Sequence, residues 1–162
     1  MDGNALVLEL GTALRAAGWR IATAESCTGG LIAAACTAVA GSSDWFERGF
    51  VTYSNEAKCE SIGVDPATIA AHGAVSAEVA EAMAAGALAH SRADLAVAVT
   101  GIAGPGGGTP EKPVGTVWLA VVRRGAEPQA TLLRLQGDRA AIRAATVDQA
   151  LRALQVEAGR RA

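Results

Sequence analysis

A serine at a strand-to-helix junction is the first residue of this chain whose setting could support catalysis. The segment 24–30, with sequence AESCTGG, places Ser26 between a predicted strand and a predicted helix. Backbone N–H groups of the first helical turn, at Thr28, Gly29 and Gly30, would then point at the group that Ser26 attacks, as an oxyanion site requires. Alternatively, Ser26 or Thr28 is only the N-cap of that helix, although both roles can share one site.

A serine becomes a useful nucleophile only where a neighbouring base takes its proton. Lys58 is the favoured base, because it lies in a first helical turn just after a predicted strand, where desolvation and the positive helix end would lower its pKa. The alternative is a solvated surface lysine. Tyr53, the only tyrosine, ends the same strand and could relay or donate a proton, or have no function there. A Ser-His-Asp triad would depend on His72, and the G-x-S-x-G elbow is absent.

A glycine-rich loop and a late arginine could bind the substrate. Residues 101–115 follow Thr100 and are rich in glycine and proline. The backbone of this loop, with Gly101 and Gly104, could cradle an anion or a flat ring, or the loop could be a mobile lid. It matches neither phosphate-binding fingerprint, so no ATP or dinucleotide site is predicted. Arg139 opens the last predicted helix, where it could clamp a phosphate or be an exposed first-turn residue.

Composition argues against several other classes of function. The net charge of -2, with 14 basic and 16 acidic residues interspersed, gives no basic stripe for nucleic acid. A small anionic molecule is still a possible partner. The two histidines and three cysteines lack metal-ligand spacing, so no metal is predicted. The odd cysteine count indicates reduced thiols of a cytosolic protein, and we expect neither a targeting segment nor a membrane span.

The elements that must position these residues are helices and strands in mixed order. Helical spacing of apolar residues up to Ala17, followed by Gly18, predicts an N-terminal helix with a glycine C-cap. The same reasoning predicts further helices at 28–39, 55–62, 66–71, after Ser76 and from about 138, and strands at 20–24, 45–54, 95–99, 116–122 and 130–135.

The order of these elements predicts the fold class. The early strands are joined by helical crossovers, and the last two are consecutive and read as a hairpin. A length of 162 residues with 51% apolar residues is typical of one core. We therefore expect a single α/β domain over residues 1–162, with a three-layer α/β/α arrangement and a mixed sheet.

Six segments together resemble the CinA C-terminal family, and the match spans about residues 6–154. Known members of that family are nicotinamide-nucleotide amidases, which convert nicotinamide mononucleotide to nicotinic acid mononucleotide and ammonia. The resemblance implies a nucleophile at Ser26, a lysine and a tyrosine matching Lys58 and Tyr53, and substrate contacts at Thr100 and Arg139. The segments are 23–30, 41–43, 49–58, 72–76, 100–105 and 112–117.

The resemblance also implies how the reaction would run. Lys58 would accept the Ser26 proton, Ser26 would attack the carboxamide, ammonia would leave, and water would hydrolyse the acyl-enzyme without metal or cofactor. We accordingly expect a cytoplasmic protein that forms a homo-oligomer, a dimer, and acts on a small nucleotide substrate. Two rival hypotheses remain: a non-catalytic nucleotide sensor that keeps the pocket, and an interaction module.

Overall fold

The computed structural model describes residues 3–160, which form six α-helices and five strands. Among these helices, none has the length and apolar character that crossing a bilayer requires. A short 3-10 turn, Ser42–Asp44, precedes the second strand. The elements are α1 (Gly3–Ala17), β1 (Ile21–Glu25), α2 (Leu31–Thr37), β2 (Phe46–Val51), α3 (Asn55–Ile62), α4 (Pro66–His72), α5 (Ala77–Ala89), β3 (Leu95–Gly101), β4 (Thr116–Arg123), β5 (Gln129–Arg134) and α6 (Arg139–Ala158).

The five strands form one mixed sheet in the order β2-β1-β3-β4-β5. Strand β1 pairs in parallel with both β2 and β3, so the carboxyl ends of these three strands meet at one edge. Strands β4 and β5 are antiparallel to their neighbours, and they form the predicted hairpin. The mixed α/β sheet expected from the sequence is therefore confirmed.

Helices cover both faces of the sheet because its central strands are apolar on both sides. Along β3, Leu95, Val97 and Val99 pack with residues of α1, α2 and α6. The intervening Ala96 and Ala98 pack instead with residues of α3 and α5. Successive side chains of a strand point to opposite faces, so a continuous apolar run buries both of them. This arrangement confirms the three-layer α/β/α architecture.

Two element boundaries differ from the sequence prediction by more than the usual one or two residues. Helix α2 begins at Leu31 rather than at residue 28, because Gly29 and Gly30 have φ values of +57° and +106° and form a turn outside the helix. Strand β2 ends at Val51 rather than at residue 54. The Ser54 hydroxyl accepts the Ala57 N–H over 3.0 Å, so the chain leaves the strand there to begin α3.

The connections after β1 and β2 open a cleft at the carboxyl edge of the sheet. The chain leaves β1 towards α2, whose buried residues belong to one core layer, and leaves β2 towards α3, whose Ile62 belongs to the other. Adjacent parallel strands whose connections diverge to opposite faces leave a crevice between their ends, where α/β proteins bind ligands. Ser26 directly follows β1, and Tyr53 and Lys58 follow β2.

Candidate active site

Ser26 and Lys58 form a hydrogen-bonded pair at the bottom of this cleft. The Lys58 Nζ donates to the Ser26 Oγ over 3.1 Å and to the Tyr53 carbonyl over 3.2 Å. The Ser26 hydroxyl lies 3.4 Å from the same carbonyl, to which it can donate. The two ends of β1 and β2 thus bring together side chains that are 32 residues apart in sequence.

Burial sets the protonation chemistry of Lys58. The side chain is 1% exposed, and no carboxylate forms an ion pair with it in residues 3–160. Loss of hydration penalises the ammonium form, so burial lowers the pKa of Lys58. A neutral amine carries a lone pair that can accept the hydroxyl proton of Ser26, and the observed geometry is what a serine–lysine pair in acyl transfer requires.

A buried glutamate, which the sequence analysis missed, caps the helix after Ser26. The Glu25 carboxylate accepts the N–H groups of Ile32 and Ala33 over 2.8 and 3.0 Å, and the Thr28 hydroxyl over 2.6 Å. Neither Ser26 nor Thr28 caps α2, so the alternative in which these residues serve only as an N-cap is wrong. The first helical amides are also already occupied by Glu25.

Tyr53 contributes two groups at different places. Its carbonyl contacts the Ser26–Lys58 pair, whereas its side chain is 61% exposed and its hydroxyl accepts from Arg139 Nη2 over 3.3 Å. Arg139 Nη1 donates to the Gly104 carbonyl over 2.8 Å. The structure therefore brings the phenol to Arg139 and not to Ser26 or Lys58.

Two adjoining cavities form the cleft. A cavity of about 220 Å³ lies over Ser26, and Thr100, Gly101 and Arg139 are among its walls. A second cavity of about 520 Å³ shares Ala103 and Arg139 with the first. The remaining walls of the first cavity are Cys27, Tyr53, Asn55, Lys58, Ala74 and Val75, and those of the second are Pro105, Val114, Gly137, Asp138 and Ala140.

Four predicted substrate-binding residues do not line the cavity over Ser26. Thr28 is buried against Glu25, and Gly29 and Gly30 form the turn that leads into α2. The carbonyl of Gly104 accepts a hydrogen bond from Arg139. Thr100, which does line the cavity, donates its hydroxyl to the Ala74 carbonyl over 2.9 Å and so ties β3 to the loop before α5.

The two other candidate reactive groups are placed away from this chemistry. His72 lies at the end of α4, where its Nδ1 is 3.5 Å from the Glu78 carboxylate, and it does not line the cavity. Burial raises the pKa of the Cys27 thiol to about 11, so the residue next to Ser26 is protonated at neutral pH. Within residues 3–160, no three His, Cys, Asp or Glu side chains come together to hold a metal ion.

Arg143 is a second residue that the sequence analysis missed. Its Nε and Nη2 donate to the carbonyls of Cys27 and Thr28 over 3.1 and 3.2 Å. The only signal in the sequence is its position one helical turn after Arg139, on the same side of α6. Glu25 could have been noticed as a lone acid at the end of an apolar strand, which burial obliges to find partners.

Comparison with known proteins agrees with this fold. The CinA C-terminal domain family matches residues 4–157. The chain is 54% identical over 146 residues to the nicotinamide-nucleotide amidohydrolase PncC of Escherichia coli K12, covering 90% of this chain and 88% of that protein. It is 59% identical over 138 residues to a CinA-like protein of Citrifermentans bemidjiense, of which it covers 33%.

A solved structure extends the likeness to three dimensions. The competence/damage inducible protein CihA from Agrobacterium tumefaciens superimposes with a TM-score of 0.94 at 48% identity, covering 99% of this chain and 97% of that one. The family match covers nearly all of the described chain, including Ser26 directly after β1 and Lys58 in α3. On this sequence and structural likeness, the chain belongs to the CinA C-terminal domain family.

Proposed function

We propose that this protein converts nicotinamide mononucleotide to nicotinic acid mononucleotide and ammonia through an acyl-enzyme on Ser26. The chain is an amidohydrolase, like the PncC enzymes to which it is 54% identical over 85–90% of its length. The observation that carries the mechanism is a buried lysine that forms no ion pair with any carboxylate of residues 3–160 and lies 3.1 Å from a serine hydroxyl in a cleft.

The acylation step uses Lys58 first as a base and then as an acid. Neutral Lys58 takes the Ser26 proton while Oγ attacks the carboxamide carbon, and the carbonyl π electrons move onto oxygen. When this tetrahedral intermediate collapses, the C–N bond breaks and the nitrogen leaves as ammonia with the proton of the Lys58 ammonium. Proton transfer by one positioned side chain contributes typically 10²–10⁴-fold to a rate.

Deacylation repeats the same proton transfers with water. Lys58, neutral again, takes a proton from a water that attacks the acyl carbon, and returns it to the Ser26 oxygen as the ester C–O bond breaks. The Tyr53 carbonyl accepts a hydrogen bond from Lys58 in every protonation state of the amine, so it keeps Nζ next to Ser26 throughout. This fixed partner makes the return of the proton to Oγ a short and directed transfer.

The two cavities match a substrate with a small ring at one end and a phosphate at the other. The 220 Å³ cavity over Ser26 is smaller than the roughly 300–1,000 Å³ of common ligand pockets, so it holds the pyridine carboxamide only. The ribose phosphate extends into the 520 Å³ cavity, and Arg139 stands between the two. A guanidinium next to a helix N-terminus is suited to a phosphate, although Asp138 beside it limits where that phosphate can sit.

The other predicted residues act as supports in this proposal. Thr100 and Gly101 form the wall that faces the ring, and Gly104 orients Arg139. The turn of Thr28, Gly29 and Gly30 shapes the backbone that follows Ser26 and does not contact substrate directly. A single domain, expected from length and composition, a cytoplasmic location, expected from cysteine usage, and a dimer, implied by the resemblance, remain predictions.

Ammonia release from nicotinamide mononucleotide by the purified chain tests this function. Ser26→Ala should lower turnover by roughly a thousandfold or more while it still binds substrate, because only the attacking atom is removed. Cys27→Ala is the matched control and should keep most of the activity. Binding of the nucleotide by the wild-type chain without release of ammonia would support the sensor hypothesis and reject the amidase.

A further inference from the structure

Arg143 makes two hydrogen bonds that the chemistry of Ser26 and Lys58 does not itself call for. From α6, its partly buried guanidinium donates to the carbonyls of Cys27 and Thr28, more than 110 residues earlier in the chain. Both acceptors are consecutive backbone groups of the turn that follows Ser26. A forked guanidinium on two neighbouring carbonyls fixes the orientation of their peptide planes more closely than one bond could.

The two peptide units on either side of Cys27 are therefore both held in place. The carbonyl of Ser26, in the same peptide unit as the Cys27 N–H, accepts the Gly29 N–H over 3.1 Å. That Gly29 N–H belongs in turn to the peptide unit whose Thr28 carbonyl accepts from Arg143, and the Cys27 carbonyl also accepts from Arg143. Within a planar trans peptide the C=O and N–H bonds point in opposite directions. The Cys27 N–H must consequently point away from the inside of the turn.

In the described part of the chain, the Cys27 N–H contacts only the thiol of its own side chain. Among residues 3–160 its N–H donates to no other residue, and Cys27 lines the cavity beside Ser26. The N–H groups of Ile32 and Ala33 cannot replace it, because they are already bound to Glu25. Thr28 and Gly30 do not line the cavity over Ser26. An N–H on the residue after the nucleophile is a position from which serine hydrolases stabilise an oxyanion.

We propose that Arg143 is a positioning residue that holds the Cys27 N–H towards the oxyanion formed when Ser26 attacks a carbonyl. The inference depends on the proposed role of Ser26 as nucleophile. As the Oγ–C bond forms, the carbonyl π electrons move onto oxygen, and the Cys27 N–H donates to that oxygen while Lys58 holds the serine proton. Arg143 touches neither substrate nor the reacting atoms and acts only through the turn.

The experiment compares wild type, Arg143→Met and Arg143→Lys with two acyl substrates. The first is nicotinamide mononucleotide, followed by ammonia release, and the second is 4-nitrophenyl acetate, followed by 4-nitrophenolate release in a single turnover. The ester acetylates Ser26 by the same attack and needs the same oxyanion donor, but it has neither ring nor phosphate. Arg152→Met, on an exposed residue of the same helix, is the matched control.

Methionine fills the space but donates to neither carbonyl, so kcat and the rate of acetylation should both fall roughly 10–100-fold, with KM changed less than threefold. Arg143→Lys, whose amine can donate to one carbonyl, should recover part of this loss. The same variant replaces Arg143→Met in the test if the methionine variant folds poorly. The pH at which the rate is half maximal should stay at the wild-type value, because Lys58 is unchanged. Arg152→Met should acetylate at the wild-type rate.

Several results would overturn the proposal. They are an unchanged rate in a folded Arg143→Met, a loss confined to KM, or a lower melting temperature with normal kcat below it. A wild-type chain that acetylates Ser26 in an Arg143-dependent way but releases no ammonia would reject the proposed substrate and keep this inference. If wild type is never acetylated on Ser26, both the proposed function and the role of Arg143 are wrong.

Discussion

At the scale of single residues, the site depends on a choice between two adjacent nucleophiles and on an unusual base. Cys27 is intrinsically the better nucleophile, but burial raises its pKa to about 11 and keeps it as an unreactive thiol. Ser26 instead has a base within 3.1 Å. Lysine can serve as that base only because the same burial lowers its pKa.

The activity should therefore rise with pH as Lys58 loses its proton. Only the neutral amine accepts the Ser26 proton, so the midpoint should lie below the ordinary lysine value of ~10.4. Lys58→Arg keeps the charge but cannot accept a proton in this range, and it should be nearly inactive at every pH. The measurement is kcat/KM against pH, and activity of Lys58→Arg close to wild type would exclude Lys58 as the base.

The lowered pKa of Lys58, which favours catalysis, should reduce the stability of the folded protein. The pKa of Lys58 is about 10.4 in the unfolded chain and lower in the folded one. Between these two values the unfolded chain binds a proton at Lys58 that the folded chain does not. The free energy of unfolding therefore falls as the pH falls through that window. Lys58→Met removes this penalty and should melt higher than wild type at pH 7, with the gain shrinking towards pH 11. Lys112→Met, at the other lysine, is the control, and a gain that does not depend on pH would contradict this account.

At the scale of elements, the site is made by the ends of strands and helices rather than by their centres. Glu25 closes β1 and caps α2, Ser54 caps α3 so that Lys58 falls in its first turns, and Asp138 caps α6 next to Arg139. Each cap satisfies amides that would otherwise be unpaired and fixes where the next side chain begins. The caps therefore position the functional residues that adjoin them.

Glu25→Gln should destabilise the protein and lower its activity together. The side-chain amide keeps the shape but can accept at only one of its two ends, so one helical N–H loses its partner at a cost of about 1–3 kcal/mol. Urea unfolding measures the stability change, and ammonia release measures the activity. Glu60→Gln, on an exposed residue of α3, is the control and should change neither. Wild-type unfolding of Glu25→Gln would show that the cap contributes little.

Arg139 at the start of α6 should set the preference for a phosphorylated substrate. Arg139→Ala should cost on the order of 1.5–3 kcal/mol in kcat/KM for nicotinamide mononucleotide, the scale of a charge-assisted hydrogen bond, and barely change the poor activity on nicotinamide riboside. Equal losses on both substrates would mean that Arg139 supports the fold or the chemistry instead.

Tyr53→Phe separates the role of the phenol from that of the carbonyl. The variant keeps the backbone contact with Lys58 and loses only the hydroxyl bond to Arg139. We expect KM for the nucleotide to rise several-fold with kcat within a few-fold of wild type. A fall in kcat of roughly a hundredfold would favour the predicted proton relay instead.

At the scale of the whole molecule, α3 and α5, which cover the same face of the sheet, must approach closely enough to hold α3 in place. Gly86 in α5 makes this possible, because a Cβ there would lie 2.1 Å from the Ile62 carbonyl at the end of α3. Lys58 lies one turn before Ile62 in the same helix. The position of the base thus depends on packing against α5, a helix that contributes no residue to either cavity of the cleft.

Gly86→Ala should consequently lower both stability and kcat. Alanine gains roughly 0.5–1 kcal/mol of helix propensity, but the clash with backbone should cost about 1–3 kcal/mol, so the net change is destabilising. Thermal melting and ammonia release are the measurements. Gly3→Ala, in α1 with nothing within 4 Å of its new Cβ, is the control and should be neutral. A Gly86→Ala variant more stable than wild type would show that α3 can shift to accommodate the methyl group without loss of stability.

Local pattern was enough to predict most of the fold. Helical periodicity, glycine C-caps and short apolar runs placed every helix and strand of residues 3–160, and the bounds of α3 agree with the prediction at both ends. These signals are local because they depend on the spacing of side chains along one element. The three-layer architecture followed, because strands that are apolar on both faces require helices on both sides.

Only the tertiary structure decided which groups meet. Lys58 became the partner of Ser26 because β1 and β2 are adjacent and parallel, and the Tyr53 phenol went to Arg139 because α6 crosses the end of the cleft. Glu25 and Arg143 were not found from sequence, since a cap or a clamp is defined by the partner it reaches and not by its neighbours in the chain. Spacing along one element carries no information on contacts across more than a hundred residues, which packing alone determines.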